Sequence, residues 1–537
     1  MLALTALWDG TKATGVAFWR VHPIHLPETK PPALQRFALA EVKLPPQPLA
    51  IRMVMLHIHQ KAGDDDLPAA YGRAYHFESL DAREDFVLPE AQRVDSRDFA
   101  PFLMDGSGLS DQDYAAKLFR ELDAELEARR VVGNAPIPAS LSRRYRHVPS
   151  GAQCEVRPAM RAEGSPLLFA AGSCRHPGVG FDRARTDAAL SGIAERARGE
   201  GLDLALMLGD QIYVDAAAGV LDGEERLEKF ALRYDAAFDS AGFRAVASSV
   251  PTYMLADDHE VRDGWPNDSL PAKQRFWDTP VEWAWRLYLA HQRWHAAGRP
   301  RWASRRRVSR YSFWYTFEQR GHPFFAFDAR FERRPGGEHI VGREQMAAFK
   351  TWLAHVAREE KAGGLEPHVP KFVLSGSVFA PGLEEFGLHP ERKRRADNWQ
   401  GFPADQAKVA RLVAESGLQN LVFLSGDYHC AAIAGFDFGG ARGYAIVAPP
   451  FYAPYPFANA LERDLADSEA LSDSKGQIGS CRARAYGLQG FALIRARRAR
   501  NAGSPEDWEI DVELYSDSDA RTPARKALLA GGVADWS

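Results

Sequence analysis

Hydrophobic positions follow two rhythms along this chain, and the change falls near Glu163. Before it, strand-like runs such as ATGVAFWRV and LAIRMVMLHIHQ are separated by Pro-rich pieces including PETKPP and LPPQP, which predicts a small β-rich domain over residues 1–163. One segment breaks the pattern. In DQDYAAKLFRELDAELEARR, Tyr114, Leu118, Leu122 and Leu126 recur at helical spacing against a charged face, as expected of a packing or connecting helix.

From residue 164 strand-like and helix-like segments alternate: LLFAAG, RARTDAALSGIAERARGE, LALML, a helix-rich stretch from Gly223 to about Ser249, then TYMLA. Alternation of this kind predicts βαβ units, a buried sheet and helices on its faces. YSFWYTF, the turn RGHP and PFFAF predict a hairpin, REQMAAFKTWLAHVARE a helix, and KFVLSG and NLVFLSG two further strands. Beyond Cys430, GYAIVA, YGLQGFALIRARR and WEIDVELYS alternate like strands that pack back on the core. The expected second domain therefore covers 164–537, with strands from about 443 completing a second sheet and a long irregular loop over 449–487.

Five of the apolar runs in this second part stop on a residue able to hold a metal: LLFAAGSC at Cys174, LALMLGDQIY at Asp210, TYMLADDHE at Asp257, Asp258 and His259, FFAFDAR at Asp328, and LVFLSGDYHC at Asp427 and His429. In an open α/β sheet the ligand site lies outside the carboxyl ends of the strands, so groups delivered at several strand ends converge in one crevice. In GDQIY the glycine permits a tight turn, and the Tyr213 phenolate is a ligand for a hard trivalent ion such as iron. An aspartate capping the next helix, with Tyr213 in the core, fits that segment equally. ADDHEV gathers three carboxylates and an imidazole, and like charges held that close need a cation. On an extended segment side chains alternate, which predicts that Asp257 and Asp258 do not both face one ion.

In SGDYHC, Asp427 and His429 stand at i and i+2, on one side of an extended chain and in register for a chelate. Cys174, in GSCRHPG, reads as a catalytic thiol, a metal thiolate or a small buried hydrophobe, and taken alone the last fits best. Asp328 and Arg330 share a face in FDAR, where an arginine fork beside a metal suits a phosphoryl oxygen and a structural ion pair suits it as well. DNWQGF brings Asp397 and Trp399 toward a pocket rim, and PPFYAPYPF reads as a lid or, more ordinarily, a buried aromatic cluster.

Composition narrows the function classes. The 537 residues carry 67 basic and 71 acidic side chains, so no net charge draws the protein to nucleic acid or to a membrane surface. Four cysteines, Cys154, Cys174, Cys430 and Cys481, are too few and scattered for a disulfide framework and point to a reducing compartment. MLALTALWDG has no basic n-region, and no stretch is long and apolar enough to span a bilayer, so a cytoplasmic protein is expected.

The ordered set GSC, GDQIY, DDHEV, FDAR, DNWQGF and SGDYH, running from Cys174 to His429, resembles the alkaline phosphatase D (PhoD-like) branch of the calcineurin-like metallophosphoesterases. The resemblance implies an α/β fold, a sandwich of two mixed sheets flanked by helices with a β-rich N-terminal domain, and hydrolysis of phosphate mono- or diesters at a multinuclear metal centre. It implies that Cys174, Asp210 and Tyr213 hold iron with Asp210 bridging, that Asp258, Asp427 and His429 complete the ligand set, and that His259 contacts the phosphoryl group or leaving oxygen. Calcium is implied nearby, with zinc and manganese as alternatives. Three departures are visible. No twin-arginine signal opens the chain, Asp427 stands where the wider superfamily has histidine and favours oxygen-loving ions, and the fourth-motif histidine is missing from KFVLSGS and FFAFDAR.

These readings predict attack by a metal-activated water, with His259 protonating the leaving group and Arg330 offsetting charge on the equatorial oxygens. The substrate expected is a small phosphoester; no protein partner is evident. Two other classes compete: a hydrolase with Cys174 as nucleophile, and a non-catalytic metal- or anion-binding protein whose site has decayed.

Overall fold

The computed structural model describes residues 2–9, 11–20, 49–56, 92–94, 109–132, 151–156, 165–177, 183–215, 227–238, 240–265, 284, 287–293, 313–333, 338–382, 398–453, 465–473, 476–499 and 508–536. The chain divides into two compact units, one made of residues 1–27, 32–160 and 305–308, the other of 28–31, 161–304 and 309–537.

In the first unit β1 (Leu2–Trp8), β2 (Ala13–Arg20), β3 (Leu49–Leu56), β4 (Gln92–Val94) and β5 (Gly151–Val156) form one antiparallel sheet in the order β4-β2-β1-β3-β5. The predicted helix is α1 (Asp111–Val132). It sets Ala115, Leu118 and Phe119 against Leu4, Trp8 and Phe18 of the sheet, with Trp8 and Phe119 edge to face at 5.4 Å.

The second unit is a sandwich of two mixed sheets. One contains β6 (Leu167–Arg175), β7 (Leu204–Leu208) and β8 (Thr252–Leu255) in parallel, β15 (Pro450–Tyr452) paired to β6, and β18 (Gly490–Arg498), β19 (Trp508–Ser516), β20 (Asp519–Ala530) and β21 (Val533–Trp536) antiparallel on the other side of β6. The other contains β9 (Tyr315–Gln319), β10 (His322–Ala326), β11 (Lys371–Ser375), β12 (Leu421–Ser425), β13 (Ala431–Phe438), β14 (Ala441–Val447), β16 (Leu465–Asp473) and β17 (Gly476–Tyr486), with β10, β11, β12 and β14 parallel. The predicted hairpin is β9–β10, antiparallel across Arg320 and Gly321, both in the left-handed region.

The inner faces of the two sheets meet in a core that includes Phe169, Leu206, Phe324, Phe372, Leu424, Ile446, Ile494 and Val512. On one outer face lie α2 (Arg183–Glu200) and α4 (Ala241–Ala247), packed through Leu190, Ile193, Phe243 and Val246 onto Leu168 and Met207. Helix α3 (Leu227–Phe238) precedes α4. On the other outer face α5 (Arg343–Ala362) and α6 (Pro403–Ser416) bury Phe349, Leu353, Val409 and Val413 against Phe325, Val373 and Phe423. Burial on both faces explains why β6, β7, β10, β11 and β12 read as unbroken apolar runs in the sequence.

Two expectations change. Strands after about 443 do not complete one sheet; β14, β16 and β17 join the sheet of β12, whereas β18–β21 extend the sheet of β6. The span 449–487 is largely β15 and the β16–β17 hairpin. That hairpin is polar along much of its length (LADSEALSD, GQIGSCRARAY), which masks the strand rhythm. Phe451 and Tyr452 are buried, Phe451 beneath Gly172, so this part of PPFYAPYPF is core, and 454–464 lies outside the described residues. Among the described residues no helix is long and apolar enough to cross a membrane.

Candidate metal centre

The parallel strands of both sheets deliver their carboxyl ends to one place. Cys174 is the penultimate residue of β6, Asp210 lies two residues beyond β7, and Asp257 opens the turn after β8. From the other sheet come Asp328 after β10, Ser377 after β11 and Asp427 after β12. Four of the candidate ligands sit in the left-handed region, Cys174 at φ 46°, Asp210 at 55°, Asp427 at 72° and His429 at 51°. Each such residue costs about 1–3 kcal/mol and persists only where its surroundings over-determine it. The surroundings do so: Cys174 N–H donates to Gly209 O at 3.1 Å, Arg175 N–H to Asp210 O at 2.7 Å and Gly426 N–H to Gly376 O at 3.0 Å.

Three sets of donor atoms each lie within 4.8 Å of one another: Cys174, Asp210 and His429; Asp210, Asp258 and His259; Asp210, Asp257, Asp258 and Asp427. Asp210 belongs to all three. Its Oδ2 is 3.6 Å from the Cys174 thiol and 3.5 Å from the Tyr213 hydroxyl, and that hydroxyl is 3.2 Å from His429 Nε2. Tyr213 stacks on His259 with ring centres 4.1 Å apart and meets His176 edge to face at 4.9 Å.

The charges in this space are out of balance in a way a cation would correct. Burial, then the neighbouring carboxylate of Asp258, pushes Asp210 well above the usual carboxylate range. Burial raises Asp257 to about 6 despite the adjacent Arg330. Burial works against the Asp258 charge as well, yet Arg330 and His259 hold its carboxyl below the ordinary value. Asp257 Oδ2 and Asp258 Oδ1 are buried and accept no hydrogen bond from the described residues. Oxygen-rich donors around one carboxylate, joined by a thiol and imidazoles, fit hard divalent and trivalent ions.

His259 is ringed by carboxylates. Burial opposes its charge, but Asp258, Asp210 and the Asp215 carboxylate bonded to its ring hold its pKa well above the ordinary histidine value. Asp215 oxygens lie 2.9 and 3.0 Å from Nδ1, which leaves Nε2 as the other ring nitrogen. The backbone N–H of His259 also donates to Asp210 Oδ1 at 3.2 Å.

The structure gathers Cys174, Asp210, Tyr213, Asp258, His259, Asp427 and His429, and it alters several local readings. Asp257 and Asp258 do present oxygens to one space, because Asp257 caps a 3-10 turn over Asp258–Glu260 and the strand alternation has ended. Asp427 and His429 converge through left-handed turns, not along an extended strand. Arg330 is fully buried, its guanidinium ion-paired to Asp257, 3.7 Å from Asp258 and 2.9 Å from Trp265 O. Asp328 accepts from the N–H groups of Arg330 and Phe331 and lies outside all three donor sets. Trp399 is core, edge to face with Phe327 and Phe379, and donates to Ser375 Oγ at 3.1 Å. Asp397 lies outside the described residues.

Sequence reasoning missed Asp215 and Ser377, and it left Glu260 without a role. Ser377 Oγ donates to Asp257 Oδ1 at 3.2 Å and accepts from Arg333 at 2.6 Å. Asp215 carried one signal, an acid five residues after Asp210 in GDQIYVD.

The model of the PhoD-like phosphatase family matches residues 169–487. The fold is similar to a solved structure of PhoD (TM-score 0.48, 16% identity, covering 73% of this chain and 75% of that one). It is also similar to a dimetal phosphatase from Danio rerio (0.36, 12%, 65% and 95%) and to GAP50, the anchor in the inner membrane complex of Plasmodium (0.34, 8%, 68% and 89%). No curated protein sequence matches the chain.

Proposed function

The chain belongs to the PhoD-like phosphatase family, and from that premise we propose that it hydrolyses small phosphate mono- or diesters at the cluster around Asp210. The observation that carries the reading is the convergence of seven thiol, imidazole and carboxylate groups from both sheets within donor sets 4.8 Å across. Cys174, Asp210, Tyr213 and His429 would hold one ion, and Asp210, Asp258 and Asp427, with Asp257 beside them, another. Iron and calcium are the ions we propose. Bound there, such ions lower the pKa of a water and offset charge on phosphoryl oxygens.

The chain's own groups do the rest. His259, aimed by the Asp215 carboxylate bonded to its Nδ1, donates a proton to the leaving oxygen from Nε2. Arg330 positions Asp257 and Asp258 instead of touching substrate. Tyr213 stacks against the His259 ring with centres 4.1 Å apart.

A cysteine nucleophile is disfavoured by a specific observation. Cys174 is fully buried, and burial together with Asp210 raises its thiol well above the ordinary value, the reverse of what activates a thiolate.

The test is elemental analysis of the purified full chain combined with hydrolysis of p-nitrophenyl phosphate and bis(p-nitrophenyl) phosphate, with and without EDTA. Metal content and chelator-sensitive turnover are expected, and Asp210→Asn should abolish both. Wild-type turnover in Asp210→Asn would remove the bridging role. Turnover that ignores EDTA and is lost with iodoacetamide would favour the cysteine reading, and tight metal content with no hydrolysis would favour a binding protein.

A further inference from the structure

We propose that Glu260 is a positioning residue of this centre, whose carboxylate fixes the Asp210 turn against the Asp257–Asp258 turn. The proposal rests on reading the site as a metal centre and assigns a group that holds no ion itself. Glu260 is fully buried, and its two oxygens accept four hydrogen bonds. Oε1 accepts from Gln211 N–H at 2.9 Å and from the Gln292 side-chain amide at 2.9 Å. Oε2 accepts from Asp210 N–H at 3.2 Å and Asp257 N–H at 2.8 Å.

Only the bond to Asp257 belongs to a capping box, the half in which a glutamate returns to its own N-cap. The others reach outside that turn. Gly209 at φ 95° and Asp210 at φ 55° swing the consecutive N–H groups of Asp210 and Gln211 toward one point. Such a nest is an anion-binding concavity, the backbone shape that cradles phosphate in other proteins. Here the anion is supplied by the chain itself. The β7–β8 ladder ends at the Leu208–Leu255 pair, so beyond it no ladder bond joins the Asp210 turn to the Asp257 turn, although Cys174 and Arg175 of β6 still bond the Asp210 turn from its other side. Glu260 takes over at that point, tying Asp210 to Asp257 through one rigid acceptor. Gln292, buried in the π-helical turn Leu289–Arg293, holds the acceptor from behind.

A carboxylate is acceptor-only with room for all four donors, whereas glutamine offers one acceptor oxygen and turns an NH2 toward the N–H groups that Glu260 satisfies. Glu260→Gln therefore keeps the volume and breaks the tether on one side. Gln292→Met removes a single donor and leaves both ligand turns bonded, a milder perturbation if the first variant folds poorly. Phe349→Leu, in the core under α5, supplies a loss of stability remote from the site.

The experiment titrates Mn2+ into chelator-treated full-length protein by calorimetry, with metal content of the untreated protein measured alongside and melting temperature recorded without ions. Glu260→Gln should bind Mn2+ about 10- to 100-fold more weakly than the wild type, and Gln292→Met several-fold more weakly, with Phe349→Leu unchanged. Variants that fold and bind Mn2+ within twofold of the wild type would overturn the proposal, as would an equal loss in Phe349→Leu. Because no substrate is used, a wild type that binds Mn2+ yet hydrolyses nothing sinks the proposed activity and leaves the tether standing. A wild type that neither contains nor binds an ion overturns both.

Discussion

At Gly426 the two sheets come into close backbone contact. It follows β12 and precedes Asp427, and a Cβ built on it would lie 2.5 Å from Ser173 Cβ and closer still to the carbonyl oxygen of Leu208. Real Cβ contacts essentially never fall under 3.0 Å, so Gly426→Ala must push this strand end back by about 0.8 Å, the shortfall at the Leu208 oxygen 2.2 Å away, against backbone that has no rotamer to change. Overpacking of this kind costs about 1–3 kcal/mol, which in a unit this large lowers the melting temperature by roughly 2–6 °C. The functional cost is larger than the thermal one. Asp427 and His429 move with Gly426, while Cys174 and Asp210 stay with β6 and β7, and a misplacement approaching 1 Å at a reacting centre costs on the order of 10^2 in rate. Differential scanning calorimetry, elemental analysis and turnover of bis(p-nitrophenyl) phosphate on the same preparation read the three effects separately. An alanine variant with wild-type metal content and turnover, whatever its melting temperature, would refute the idea that this contact sets the spacing of the ligands.

Asp215→Asn should cut turnover of an alkyl phosphate about 10- to 100-fold, spare a nitrophenyl ester with its good leaving group, and move the basic limb of the kcat profile to lower pH, because His259 loses the carboxylate that helps keep it charged. An unchanged alkyl-ester rate and limb would dismiss the dyad. His322 makes the second case: burial holds it near pKa 4, with its Nδ1 2.9 Å from Pro370 O, so the unfolded chain binds the extra proton between pH 6.5 and about 4, and stability is full above that window and falls as pH drops through it. The contribution is at most about 3 kcal/mol, and urea midpoints of wild type and His322→Gln at pH 7 and pH 4.5 should show the wild type losing more; parallel losses would contradict it.

Much of the site was legible because its donors sit where hydrophobic runs stop. Burial on both faces makes β6, β7 and β12 unbroken apolar strings, so Cys174, Asp210 and Asp427 announce themselves as the first polar chemistry after each. The order of those endings, read with the family resemblance, also placed Tyr213, His259 and His429. What was not legible is turn geometry. Nothing in DDHE says that a 3-10 turn lets adjacent aspartates share one space, and nothing in FDAR says that Arg330 reaches Asp257 rather than solvent. Partners distant in sequence are hidden for the same reason: Ser377 meets Asp257 across 120 residues and Gln292 meets Glu260 across 32. Polar strands such as β16 and β17 escaped because their rhythm is carried by small and charged side chains.

The left-handed ligands and the crowded glycines answer one geometric problem. Facing sheets stand about 10 Å apart, too far for short aspartate side chains on straight strands to meet across the gap. The strands must therefore end and their turns lean toward each other. Positive φ at Cys174, Asp210, Asp427 and His429 supplies the lean, at a conformational cost borne by side chains that cannot be glycine because they are the donors. Close approach supplies the rest: a Cβ on Gly209 would lie 2.6 Å from Asp257 Cβ, and one on Gly376 would lie 2.6 Å from Ala256 O. Each glycine thus lets one ligand turn rest on the backbone of another, Gly209 and Gly376 on the Asp257 turn and Gly426 on β6 and β7. Strain and contact act on the same turns, so relaxing either would open the cluster, and the donor atoms stay within reach of one another only while both hold.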